Sequence, residues 1–230
     1  MFVHAIRSFV GLLLPRSCLA CSGLLADSEQ QLCTYCLGLL PSVDYHLYAD
    51  NPIAQKFYGK VPIRMASALF SFSKKSALQQ LLHQIKYKDQ PAVAETLGRY
   101  YGQLLKERNC YTHIEAILPV PLHPERQAQR GYNQSACLAS GLAEGLGKPH
   151  HPHWLRRVVN TSTQTNKGRV VRWENVANAF VLASQTAVKD KHLLLIDDLA
   201  TTGATLEAAA HTLHEAQVAS TSILTLAVAE

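Results

Sequence analysis

The chain has 230 residues, 47% of them hydrophobic, and 22 lysines and arginines against 17 aspartates and glutamates give a formal charge of +5 and a pI near 8.9. This length supports one substantial domain plus a small appendage, and the composition is that of a soluble globular protein, which excludes disordered and fibrous classes. The basic excess favours anionic partners, but it is mild, and a phosphate-bearing ligand accounts for it as well as DNA does.

Residues 1–21, MFVHAIRSFVGLLLPRSCLAC, imitate an export signal, yet Arg7 interrupts the run and its apolar core, residues 9–14, is only six residues long. Neither Cys18 nor Cys21 has the small-residue context of a lipidated cysteine. The segment reads as an amphipathic lead into the first module. No apolar run approaches the roughly 18 residues that span a membrane, so no membrane insertion is expected and the cytoplasm is the default location.

Cys18 and Cys21 form one C-x-x-C pair and Cys33 and Cys36 a second, with eleven residues between the pairs. Each short turn aims both sulfurs at one point, so together they can place four thiolates tetrahedrally around zinc. Disulfides, an iron–sulfur cluster and a redox dithiol are the alternatives. So short a segment builds no core of its own, and structural Zn²⁺ would supply its folding energy. Cys110 and Cys137 stand alone and read as core thiols.

Residues 41–62 show no firm periodicity and suit a linker or a packed loop, which divides the chain into a zinc-binding module and linker (1–62) and a larger domain (63–230). Residues 68–72 alternate like a strand, and residues 77–87 place Leu78, Leu81, Leu82 and Ile85 at helical spacing. Lys74, Lys75, Lys86 and Lys88 flank that helix, a pattern that fits a solvated face better than a nucleic-acid surface. A helix over 92–107 and a strand over 114–118 follow.

Pro119-Val120-Pro121-Leu122-His123 is then a stiff turn at a strand's end, followed by Arg126, Arg130 and Gly131-Tyr132-Asn133-Gln134. Prolines pre-set a loop that brings backbone close to an anion, and arginines suit bidentate contact with pyrophosphate. His150, His151 and His153 lack a matching ligand set and read as surface residues. Residues 155–180 hold Arg156, Arg157, Thr163, Gln164, Lys167, Arg169, Arg172, Asn175 and Phe180 without apolar periodicity. A stretch so rich in cations and amides suits a mobile flap, with an exposed basic loop as the alternative.

Residues 192–206, HLLLIDDLATTGATL, carry the most chemistry. Leu193 to Ile196 form the continuous apolar run of a strand covered on both faces, and Asp197 and Asp198 fall at its carboxyl end, where open α/β sheets bind ligands. Adjacent carboxylates repel and resist burial, so they persist where a diol, a metal or water satisfies their oxygens; a ribose diol is a natural partner. Ala200, Thr201, Thr202, Gly203, Ala204 and Thr205 supply hydroxyls, a glycine that lets backbone N–H groups turn toward an anion, and the positive end of the next helix. The final strand is expected over 222–228.

This segment resembles the phosphoribosyl pyrophosphate (PRPP) motif of type I phosphoribosyltransferases, in which the acids contact ribose hydroxyls and the loop cradles the 5′-phosphate. The run PVPLHPERQAQRGYNQ resembles the signature of the ComF competence-protein family, and its Pro-Val-Pro start resembles the pyrophosphate loop of glutamine amidophosphoribosyltransferase. With the cysteine pairs, the chain is identified as a member of the ComF family. The resemblance implies an α/β, Rossmann-like type I phosphoribosyltransferase fold with a small N-terminal zinc-binding module. It makes Pro121, Leu122, His123, Arg126 and Arg130 pyrophosphate-loop candidates. Residues 155–180, with Gln164 and Arg169, become a flap over bound PRPP, and Mg²⁺ is expected with PRPP.

Purine-salvage members of the superfamily usually carry an acid at the position of Thr201, so 6-oxopurine salvage is not expected; nor is glutamine hydrolysis, because Phe2 follows Met1 where a cysteine nucleophile would stand. Two functions follow. One is an enzyme, linked to DNA uptake and natural transformation, that transfers phosphoribose from PRPP to an acceptor the sequence does not name. The other is a non-enzymatic competence accessory that binds single-stranded DNA and recombination or uptake proteins.

Overall fold

A computed structural model describes residues 16–74, 76–87, 90–159 and 179–229. In chain order the elements are α1 (Thr34–Gly38), β1 (Ala66–Phe72), α2 (Ala77–Tyr87), α3 (Pro91–Glu107), β2 (Ala116–Pro119), α4 (Pro124–Arg130) and α5 (Gln134–Leu146). There follow β3 (Leu155–Arg157), β4 (Phe180–Leu182), α6 (Gln185–Val188), β5 (His192–Ala200), α7 (Ala204–Glu215) and β6 (Ser220–Ala229).

The central sheet has the order β1-β6-β5-β2, with every neighbouring pair parallel. Parallel strands are buried on both faces, which is why β5 and β6 read as nearly unbroken apolar runs. Leu194, Ile196, Leu224 and Leu226 pack on one side against α2, α3 and α5. Leu193, Leu195, Ile223 and Val228 pack on the other against α7 and residues 53–61. The mixed α/β class with a parallel sheet is the one expected.

Two glycine pairs bring α3 and α5 together. Gly98 and Gly102 lie one turn apart on α3, as do Gly141 and Gly145 on α5, so each pair shares a helix face. A Cβ at Gly98 would lie 2.2 Å from the Leu138 carbonyl oxygen, and one at Gly141 only 2.0 Å from that of Glu95. Any side chain there would push the helices apart, and with them the start of α5 that borders the sheet edge.

Residues 41–62 form the packed loop, one of the two forms expected for them. Ile53, Phe57 and Val61 are buried, and the buried Asn51 holds the turn by donating to the carbonyls of Tyr45, Tyr48 and Ala66 and accepting from the N–H groups of Ile53 and Ala54. Apolar contact also crosses the expected boundary at residue 62: Cys18, Leu32 and Leu40 belong to the same buried cluster as α2 and α3. Gln30 accepts from Thr96 and Arg99, and Gln84 donates to the Leu19 carbonyl.

Several expectations shift. The strand expected over 114–118 begins at Ala116, because Asn109 and Tyr111 adopt positive φ (54° and 59°) in a turn before it. β3 and β4 pair antiparallel in a separate two-stranded sheet; three residues each is too short for a periodic signal. His150 and His151, expected at the surface, dock on the β2 edge: the His151 N–H donates to the Ile117 carbonyl, and its ring stacks on Trp154 with centroids 3.8 Å apart. Cys110 and Cys137 are only half-buried.

Candidate functional site

The two acids of β5 lie at its carboxyl half, beside the end of β2, where Pro119 pairs in register with Ile196. Asp198 continues the face of Leu194 and Ile196 toward α2 and α5. There Lys86 Nζ approaches Asp198 Oδ2 at 2.8 Å, and Gln134 Nε2 donates to the same oxygen at 3.2 Å. Asp197 Oδ1 accepts from Ser135 Oγ at 2.8 Å and from the Asp198 N–H at 2.9 Å. Burial and the adjacent Asp198 carboxylate push the Asp197 carboxyl up to about 7, against the opposing pull of the Ser135 hydroxyl, the Asp198 N–H and Lys86. The pair is therefore held by groups on α2 and α5, with Asp197 raised toward neutrality.

Lys86 corrects the sequence reading: it is the ion-pair partner of Asp198 rather than part of a solvated face. Gln134 and Ser135 are further site residues. Sequence offered only their place at the start of a helix after the PVPLH loop. Gln134 is buried, and its Oε1 has no hydrogen-bond partner among the described residues.

The loop after β5 turns into α7 through a left-handed glycine. Ala200 is buried at the strand's end, Thr201, Thr202 and Ala204 are exposed, and Thr205 is half-exposed. Gly203 caps α7 in the left-handed region (φ 83°), and a Cβ there would lie 3.2 Å from the Phe57 ring, so both conformation and space select glycine. The Ala204 N–H reaches Thr202 Oγ1 at 3.4 Å. The remaining first-turn N–H groups and the helix dipole give this end positive character. Lys60 Nζ lies 3.9 Å from Glu207 Oε2 on the first turn of α7.

The PVPLH turn leaves β2 alongside β5. The Val120 N–H donates to the Ile196 carbonyl at 2.8 Å, carrying the β2–β5 pairing one residue past β2. Asn133 Nδ2 donates to the Val120 carbonyl at 3.0 Å while Asn133 Oδ1 accepts from the Ser135 N–H, tying the turn to the start of α5. Pro121, Leu122 and His123 are half-exposed, and His123 Nδ1 caps α4 by accepting from the Glu125 N–H. Arg126, on the first turn of α4, is half-buried. Arg130 turns toward α2, its Cζ 5.5 Å from the centre of the Tyr87 ring. Gln164 and Arg169 lie outside the described residues.

The cysteine pairs form a second cluster. The Sγ atoms of Cys18, Cys21, Cys33 and Cys36 lie within 4.8 Å of one another, with Cys21 and Cys33 3.9 Å apart. Zinc–sulfur bonds of about 2.3 Å put tetrahedral sulfurs about 3.8 Å apart, so the set fits such an ion. All six cysteines are free thiols. Burial raises the Cys18 thiol, but the N–H groups of Cys33, Cys21 and Ala20 outweigh it and bring it down to about 6, the direction a metal-binding thiolate needs. Four cysteines this close can hold a metal ion such as zinc.

Fold and clusters together define an α/β protein with a parallel sheet and a four-cysteine module. No family model matches the chain. It is 29% identical over 200 residues to competence protein F of Haemophilus influenzae, covering 82% of this chain and 86% of that protein. It is 34% identical over 132 residues to the DNA utilization protein YhgH of Salmonella typhimurium, covering 56% of this chain and 57% of that one. Among solved structures, glutamine PRPP amidotransferase of B. subtilis overlays with a TM-score of 0.42 at 17% identity, covering 63% of this chain and 30% of that one. The match thus spans little over half of YhgH and less than a third of the amidotransferase. The chain is thus similar to proteins named for competence and for DNA utilization. Among the described residues no helix is long and apolar enough to cross a membrane.

Proposed function

We propose that this protein binds PRPP with Mg²⁺ at the carboxyl ends of β2 and β5 and transfers its phosphoribosyl group to an acceptor, in a process of DNA uptake or natural transformation. The observation that carries this reading is the acid pair followed directly by the Thr-Gly loop at the strand end. Asp197 and Asp198 would accept from the ribose diol, while Thr201, Thr202 and Thr205 and the N–H groups of residues 200–205 would hold the 5′-phosphate. Pro121, Leu122, His123 and Arg126 would line the pyrophosphate, with Arg130, Gln164 and Arg169 as further candidates. Lys86 pairs with Asp198, and Ser135 orients Asp197. In transfer the bond from the anomeric carbon to pyrophosphate breaks and one to the acceptor forms; the Asp197 carboxylate offsets the positive character that develops on the ribose. Mg²⁺, when bound, would neutralise the departing pyrophosphate.

The four cysteines would hold a structural zinc that folds residues 16–40 onto α2 and α3. Residues 1–62 and 63–230 are the proposed module and domain, and the cytoplasm the proposed location. The names of the relatives favour a second reading, an accessory protein that binds single-stranded DNA or recombination proteins without transfer. A screen of acceptors for PRPP-dependent pyrophosphate release separates the two. Release that requires an acceptor supports transfer. PRPP binding without release, together with DNA affinity that falls steeply with salt, supports the accessory.

A further inference from the structure

A polar group in the middle of the central sheet stands beside the acid pair without a partner of its own. Thr225, on β6, is wholly buried, and its Oγ1 makes no hydrogen bond among the described residues. Taking a hydroxyl out of water unpaired costs stability, and on a buried strand a valine fills nearly the same space without that cost. Local choices that work against the fold tend to gather where a site needs them.

An orphaned hydroxyl decides little by itself, because Thr221, earlier on the same face of β6, is also buried and unpartnered. Their neighbours separate the two. Thr221 stands in register with the apolar Leu193 on β5, whereas Thr225 stands in register with Ala68 on β1 and Asp197 on β5. Residues in register on adjacent strands project to the same side of a sheet, so the polar neighbour in the row Ala68, Thr225 and Asp197 is the carboxylate. Both donors that already meet that carboxylate, Ser135 Oγ and the Asp198 N–H, go to the same oxygen, Oδ1. A change between staggered χ1 positions re-aims a threonine hydroxyl without moving the backbone.

We infer that Thr225 is a positioning residue for Asp197: its hydroxyl donates to the Asp197 carboxylate when ligand is bound, steadying the acid from β6 as Ser135 does from α5. The inference rests on the proposed PRPP reading and adds a residue to it. In the free chain the same hydroxyl is a cost to stability, so its two effects carry opposite signs.

The test compares Thr225→Val, Thr225→Ser and Thr221→Val with the unmodified zinc-loaded full chain, by thermal unfolding and by calorimetric titration with PRPP and with ribose 5-phosphate in the presence of Mg²⁺. Both valine variants are expected to unfold about 2–4 °C higher, because each removes a buried unpartnered hydroxyl. Thr225→Val should bind both ligands about 10-fold more weakly, the effect of one hydrogen bond to a charged group, while Thr221→Val should bind them unchanged and Thr225→Ser should keep most of the affinity. With that donor gone, and Ser135, Asp198 and Lys86 still facing the acid pair, the acid limb of PRPP binding should also move to higher pH in Thr225→Val. Unchanged affinity in Thr225→Val, an equal loss in Thr221→Val, or a loss in Thr225→Ser as large as that in Thr225→Val overturns the role of Thr225. So does a Thr225→Val protein that unfolds at lower temperature, since its hydroxyl would then be bonded in the free chain. PRPP binding absent from the unmodified chain overturns the phosphoribosyl reading and this role with it, a result distinct from binding that is present but indifferent to Thr225.

Discussion

At the N-terminal cluster four sulfurs converge within 4.8 Å, and the Cys18 and Cys33 sulfurs accept from backbone N–H groups; at the end of β5 two carboxylates are met by Lys86, Gln134 and Ser135. Both sites crowd groups that repel one another when ionised. The acid pair is balanced from within the fold, by a cation on α2 and donors on α5. Four thiolates this close would repel, and a metal ion held there would link its own binding to the folding of the segment. On the proposed reading, the first cluster would stabilise the fold and the second would take up and release a ligand.

The largest effect is expected where the compensation comes from outside. Cys33→Ser with Cys36→Ser, or prolonged chelation, should cost several kcal/mol, on the order of what structural zinc supplies to small modules. Because Cys18, Leu32 and Leu40 share the core of α2 and α3, melting of the whole chain should fall as well. Metal analysis with thermal unfolding checks this; a doubly substituted protein that keeps one metal per chain would break the comparison.

Internal compensation should give a smaller cost. Lys86→Gln strands a largely buried Asp198 carboxylate and should destabilise by about 1–3 kcal/mol, whereas the same change in an Asp198→Asn background should cost much less. Equal costs in the two backgrounds would show that Lys86 contributes packing rather than charge.

The sign of the pH dependence follows from Asp197. In the unfolded chain its carboxyl titrates in the ordinary range, at 3.8, and in the folded chain at about 7. Between these values the folded form holds the proton more tightly, so its contribution to stability is full below about 4 and is lost as pH rises toward 7. Asp197→Asn should remove that component and raise the melting temperature at pH 8. Denaturant unfolding across this range measures it, and a variant that parallels the unmodified protein would contradict the assignment. The smallest effect concerns Arg130: stacked on Tyr87, it should lower PRPP affinity less than Arg126 does when each is changed to Ala.

Much of both clusters was legible because their signals are local. The C-x-x-C pairs, the Asp197–Asp198 pair, Gly203 and the PVPLH turn are each contained in a few consecutive residues, and the structure brings the last three to neighbouring strand ends. What completes the acid pair was not legible. Gln134 lies 64 residues from Asp198, and Lys86 looked like any lysine on an amphipathic helix, since spacing says nothing about which distant strand end a helix terminus meets. The β3–β4 hairpin escaped for a different reason: two strands of three residues leave no alternation to read. The glycine crossing of α3 and α5 had a visible spacing, four residues in each helix, but only the packed structure shows that the two pairs meet.

The most direct test of the central claim is calorimetric titration of the zinc-loaded chain with PRPP and Mg²⁺, beside a variant carrying Asp197→Asn and Asp198→Asn. Saturable binding by the unmodified chain, lost by at least about 100-fold in a variant that remains folded, is the expected result. Equal affinity in the two proteins, or no binding to either, would contradict the placement of a phosphoribosyl site at the end of β5.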